Sequence, residues 1–120
     1  MLFRSIIDHR GPEFARLVRG LLPDVARVFG TERGRIAIFP TSGTGAWEAA
    51  LVNTLAPGDR VLTFDHGFFA SAFTGAATNL GLHAEIEIVD WRRPIGGDVV
   101  RRALGSLDHV RAVLVVHNET

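Results

Sequence analysis

Four short apolar runs, at residues 35–39, 61–64, 84–89 and 110–116, are separated by stretches with helical signatures. This alternation constrains the fold more than any other feature of the chain. The nearly continuous runs at 61–64 and 112–116 fit strands buried on both faces, whereas 84–89 alternates, with Glu85 and Glu87, and suggests a strand with one face partly wet. A first helix precedes them. Gly11-Pro12 opens it, Pro12 suits a first helical turn, and Phe14, Leu17, Val18, Leu21 and Leu22 recur at helical spacing. Pro23 is expected to kink or interrupt that helix, and Gly30 to end it. Further helices are expected at 44–55, 68–80 and from Asp98, a good N-cap residue, to Leu104. The order after the first helix is β-α-β-α-β-α-β. It predicts an α/β fold, a three-layer α/β/α arrangement on a mainly parallel sheet with crossover helices.

Composition narrows the function classes. At 120 residues and 47% hydrophobic, the chain suits one domain or part of a larger one, and no low-complexity run suggests disorder. A formal net charge of zero argues against nucleic acid as the main partner. The apolar runs are too short to span a bilayer, so no membrane partner is expected. No opening segment resembles a signal peptide. Cysteine is absent, which excludes disulfides and thiolate metal sites and fits a reducing, cytoplasmic setting. All thirteen basic residues are arginine. A chain without lysine cannot form a Schiff base through a lysine side chain.

Candidate chemistry gathers where apolar runs end, because ligands of open α/β sheets bind beyond strand carboxyl ends. The run 35–39 passes through Pro40 into Thr41-Ser42-Gly43-Thr44-Gly45 and then a helix. Small residues let an anion approach the unpaired N–H groups of a helix start, and Ser42 and Thr44 add hydroxyls. The plainer alternative is that Ser42 or Thr44 is only an N-cap. Neither GxxxxGK[ST] nor GxGxxG is present. After 61–64 come Asp65-His66-Gly67-Phe68-Phe69. The two Phe point in different directions at a helix start: one can enter the core while the other overhangs the crevice, or both can pack inside. After the last run come His117-Asn118-Glu119-Thr120, a polar cluster or a plain loop. His66 and His117 lack HxH or HExxH spacing, so no metal site is expected, and Ser42 lies in no GxSxG elbow. Asp8-His9-Arg10 reads as capping and surface, and Trp91-Arg92-Arg93 as a surface turn with Trp91 partly buried.

The segments IIDHRGPEFARL, FPTSGTGAWEAALVNTLAPGDRVL and AVLVVHNET, taken together, are more specific than any one of them. They closely resemble the class V aminotransferases, pyridoxal-phosphate enzymes of fold type I, and most of all the serine–glyoxylate and alanine–glyoxylate (serine–pyruvate) aminotransferases. The resemblance covers essentially the whole chain. It implies that Ser42, Gly43 and Thr44 cradle the phosphate of pyridoxal 5'-phosphate. It implies that Phe69, where relatives often have tryptophan, stacks on the pyridine ring, and that Thr120 lies near the phenolic oxygen. His117 and Glu119 take supporting positions, and Asp8-His9-Arg10-Gly11 matches a segment near the active-site mouth and dimer interface.

The resemblance also implies a reaction. An amino group would pass from serine or alanine to glyoxylate or a similar keto acid, in a homodimer, in the cytoplasm or, in a eukaryote, the peroxisome. Residues 1–120 would be the N-terminal part of the cofactor-binding large domain, with 1–11 an N-terminal segment and 12–120 the βα units. The Schiff-base lysine, the aspartate that pairs with the pyridine nitrogen, and the small C-terminal domain are expected elsewhere. On this reading the chain is a fragment, inactive alone and with no catalytic residue of its own. The alternatives are a non-catalytic remnant and an α/β module that binds a phosphate-containing ligand.

Overall fold

The computed structural model describes residues 7–119. The chain divides into two compact units, Met1–Phe39 and Pro40–Thr120.

The first unit holds helix α1 (Pro12–Val28). Asp8 shapes its approach: the Gly11 N–H donates to the Asp8 carbonyl at 2.9 Å, and the Arg10 N–H donates to Asp8 Oδ1 at 3.0 Å. Helix α1 continues through Pro23 rather than stopping there, although proline removes one main-chain donor. Residues 35–39 form no strand, contrary to the pattern, and Ile38 and Phe39 are exposed. A strand is defined by main-chain pairing with a neighbour, and no described residue pairs with this run.

The second unit runs α2 (Gly43–Thr54), β1 (Arg60–Asp65), α3 (Phe68–Asn79), β2 (His83–Ile88), α4 (Gly97–Gly105) and β3 (Val110–Leu114). The strands form a parallel sheet in the order β2-β1-β3. Central β1 shows why its run lacks polar alternation: Val61, Leu62, Thr63 and Phe64 are all buried. Val61 packs with Leu51 of α2 and Ala77 of α3, whereas Leu62 and Phe64 pack with Ala103 of α4. Opposite faces of one strand therefore meet different helices, which makes the three layers. Each such aliphatic or aromatic side chain, fully buried, contributes roughly 1.5–3 kcal/mol.

Turn chemistry fixes the crossovers. Gly81 closes α3 at φ 80°, and its carbonyl accepts from the Gly58 N–H at 2.8 Å. Gly58 is itself left-handed, at φ 90°, a region that favours glycine. Helix α4 starts two residues before the expected place: Gly96 is the N-cap, and Asp98 lies in the first turn, where its charge still complements the helix dipole. The last strand ends at Leu114, so Val115 and Val116 lie beyond it.

Candidate functional site

Two helix starts in the second unit carry the candidate residues, and their N–H groups have different fates. At α2, Ser42 is the N-cap, and its Oγ accepts from the Gly45 N–H at 3.3 Å. The Ser42 carbonyl accepts from the Ala46 N–H. Among the described residues nothing accepts from the N–H of Gly43 or Thr44. A Cβ on Gly43 would meet open space, so its main chain can be approached closely. Gly45 differs: a Cβ there would strike the Thr41 side chain. The cap reading of Ser42 is thus correct, and it leaves two donors of the same turn free.

At α3 the donors are taken. The Phe69 N–H donates to Glu119 Oε2 at 3.2 Å, and the Ala70 N–H donates to Glu119 Oε1 at 2.5 Å. A carboxylate at a helix N-terminus gains from charge-assisted hydrogen bonds and from the helix dipole. Gly67, the N-cap residue, is buried against that carboxylate, and a Cβ there would overlap it. The position requires glycine through this close approach, since its φ of 165° is ordinary extended backbone.

An aromatic bridge links the two helix starts. Trp47 of α2 stacks on Phe73 of α3, with centroids 4.8 Å apart, and meets Phe69 edge-on at 6.4 Å. Phe69 and Phe73 are one turn apart on α3, so the indole spans both. Neither Phe68 nor Phe69 enters the core. Phe68 is 71% exposed and Phe69 39%, and the two rings meet edge to face. The Phe69 side chain is therefore partly open to solvent.

The remaining candidates are placed differently. His117 is exposed, bonds Asn118 Oδ1 at 2.8 Å, and lines a concavity of about 270 Å³ with His66 and Arg93. It is not brought to the Phe69 cluster. Thr120 lies outside the described residues. His66 ties strand ends together: Nδ1 lies 3.0 Å from the Phe64 carbonyl and Nε2 lies 2.9 Å from that of Val116. Neutral imidazole has one N–H, so it donates to one of these carbonyls at a time. Trp91 lies in the expected surface turn but is 63% exposed, and its Nε1–H donates to the Asp65 carbonyl at 3.0 Å. A concavity of about 560 Å³ lies beyond β2 at the start of α4 and includes none of the candidates.

The sequence pattern gives no role to Trp47, and it reads Gly67 only as allowing a tight turn. The Phe69–Phe73 spacing opposite a lone Trp was the signal for the first. For Gly67 no local signal existed, because its constraint comes from Glu119. Among the described residues no cluster of His, Asp and Glu could hold a metal ion. No described helix is long and apolar enough to cross a membrane.

No family model matches the chain. Over 115 residues it is 42% identical to the serine–glyoxylate aminotransferase of Methylorubrum extorquens, covering 94% of this chain and 29% of that protein. Over 119 residues it is 37% identical to the serine–glyoxylate aminotransferase of Arabidopsis thaliana, covering 98% and 30%. The chain thus spans less than a third of the length of these curated relatives. Among solved structures, the alanine–glyoxylate aminotransferase of Nostoc sp. superposes with a TM-score of 0.79 at 26% identity, covering 97% of this chain and 30% of that one. In sequence and in fold, the chain is similar to a part, under a third, of the glyoxylate aminotransferases.

Proposed function

We propose that this chain supplies the phosphate cradle and the ring platform of a pyridoxal-phosphate-dependent aminotransferase. The observation that carries the reading is the contrast between the two helix starts. Glu119 already fills the start of α3, whereas Gly43 and Thr44 of α2 keep free N–H donors beside an open approach. The donor set fits a phosphate: two main-chain N–H groups, the Thr44 hydroxyl and the positive end of a helix dipole. The Phe69 face, linked to α2 through Trp47, fits a flat aromatic ring.

On this reading Ser42 holds the loop, Gly43 and Thr44 bind the phosphate, and Phe69 stacks on the ring. Glu119 supports Phe69, His117 takes a supporting position, and Thr120 lies near the cofactor's phenolic oxygen. Bound pyridoxal phosphate supplies the electron sink for the carbon that loses its amino group. The chain's own residues orient that ring and hold its charged end. They supply no lysine, so covalent attachment and proton transfer at the reacting carbon are not theirs. The amino donor is serine or alanine and the acceptor glyoxylate or a similar keto acid, by the relatives' names, and the whole enzyme is a homodimer. Residues 1–120 form the N-terminal part of its cofactor-binding domain. The lack of lysine favours one second reading, a non-catalytic module that binds a phosphate-bearing ligand.

The test uses 4'-deoxypyridoxine 5'-phosphate, which has the ring and phosphate but no aldehyde, and inorganic phosphate alone. The cofactor reading expects the ring compound to bind more tightly than phosphate and Phe69→Ala to abolish the difference. Equal affinity for the two would leave only the phosphate module.

A further inference from the structure

Glu119 makes a contact that its place in the sequence does not suggest. It follows β3 in an irregular segment, yet its carboxylate reaches the first turn of α3 and accepts from both Phe69 and Ala70. The route there is short and anchored. His66, just before Gly67, lies 2.9 Å from the Val116 carbonyl, so the segment leaving β3 is held beside the one leaving β1. Glu119 then lies against the bare α-carbon of Gly67. A single carboxylate thereby fixes the main chain of Phe69 at its N–H, while Trp47 borders the ring.

We infer that Glu119 and Gly67 form a latch that positions Phe69, with Glu119 acting as a positioning residue rather than a ligand-binding one. Two of the donors at the α3 start are consumed by the latch. An incoming anion therefore goes to α2, and the α3 start serves only to aim the aromatic ring. The functional consequence rests on the reading of Phe69 as the ring platform. The latch itself does not.

The experiment follows amide exchange by NMR on the 120-residue chain and Trp47 emission in a Trp91→Phe background. In the unmodified chain the Phe69 and Ala70 amides should exchange about tenfold or more slowly than those of Gly43 and Thr44, because bonds to a charged acceptor are the stronger kind. Glu119→Ala should remove that protection, shift Trp47 emission, and weaken 4'-deoxypyridoxine 5'-phosphate while leaving inorganic phosphate affinity unchanged. Glu119→Gln, which keeps the shape and one acceptor oxygen, should restore part of each effect and carries the same test if the alanine variant does not fold. Equally fast exchange at all four amides overturns the latch. So does a Glu119→Ala chain with unchanged Trp47 emission. A parallel loss of phosphate and ring-compound affinity would make Glu119 merely structural. If the unmodified chain binds neither compound, the cofactor reading fails, and exchange and emission still decide the latch.

Discussion

The carboxylate of Glu119 rests on the α-carbon of Gly67, in the volume that any side chain there would claim. The contact joins the segment beyond β3 to the start of α3, and it explains both residues at once. Glycine is needed because the acid is there, and the acid is satisfied because two N–H groups of α3 face it.

Gly67→Ala should therefore destabilise the second unit by about 1–3 kcal/mol, the range for overpacking. In a Glu119→Ala background most of that cost should vanish, since the methyl then has room. Urea unfolding of the four chains of this cycle measures the coupling. A cost that persists undiminished without Glu119 would mean that Gly67 is constrained by something else.

Ser42→Ala removes the one side-chain cap of α2 and should cost about 1 kcal/mol. Thr44 makes no capping bond, so Thr44→Ala should change stability by less than about 0.5 kcal/mol. Thermal unfolding separates the two. If both substitutions cost the same, the Ser42 Oγ bond to the Gly45 N–H contributes little.

Thr63 is buried at the centre of β1, and its Oγ1 has no hydrogen-bond partner among the described residues. An unpaired buried hydroxyl costs roughly 1–3 kcal/mol. Thr63→Val keeps the shape and removes that cost, so the variant should unfold at a higher urea concentration than the parent. A lower midpoint would reveal a partner for the hydroxyl.

Trp47 is half-buried between Phe69 and Phe73. Trp47→Ala should cost about 2 kcal/mol, less than the ~3–5 kcal/mol of a fully buried aromatic. Trp47→Phe should recover much of it. Equal losses in the two variants would show that ring stacking on Phe73 is not the source.

The elements themselves were largely legible along the chain. Periodicity, Pro12, Gly81 and the apolar runs marked α1, α2, α3, β1 and β2 to within a residue or two, because helix and strand patterns are local properties. Ser42 as an N-cap was readable for the same reason. Residues 35–39 had the right pattern and still made no strand, because pairing depends on a neighbour that local pattern cannot supply. Tertiary structure also decided which helix start stays open. Nothing near Gly67 in sequence announces that Glu119 will fill the start of α3, or that Gly43 and Thr44 will keep their N–H groups free. That assignment comes from two chain segments carried side by side by parallel strands, with His66 joining their ends.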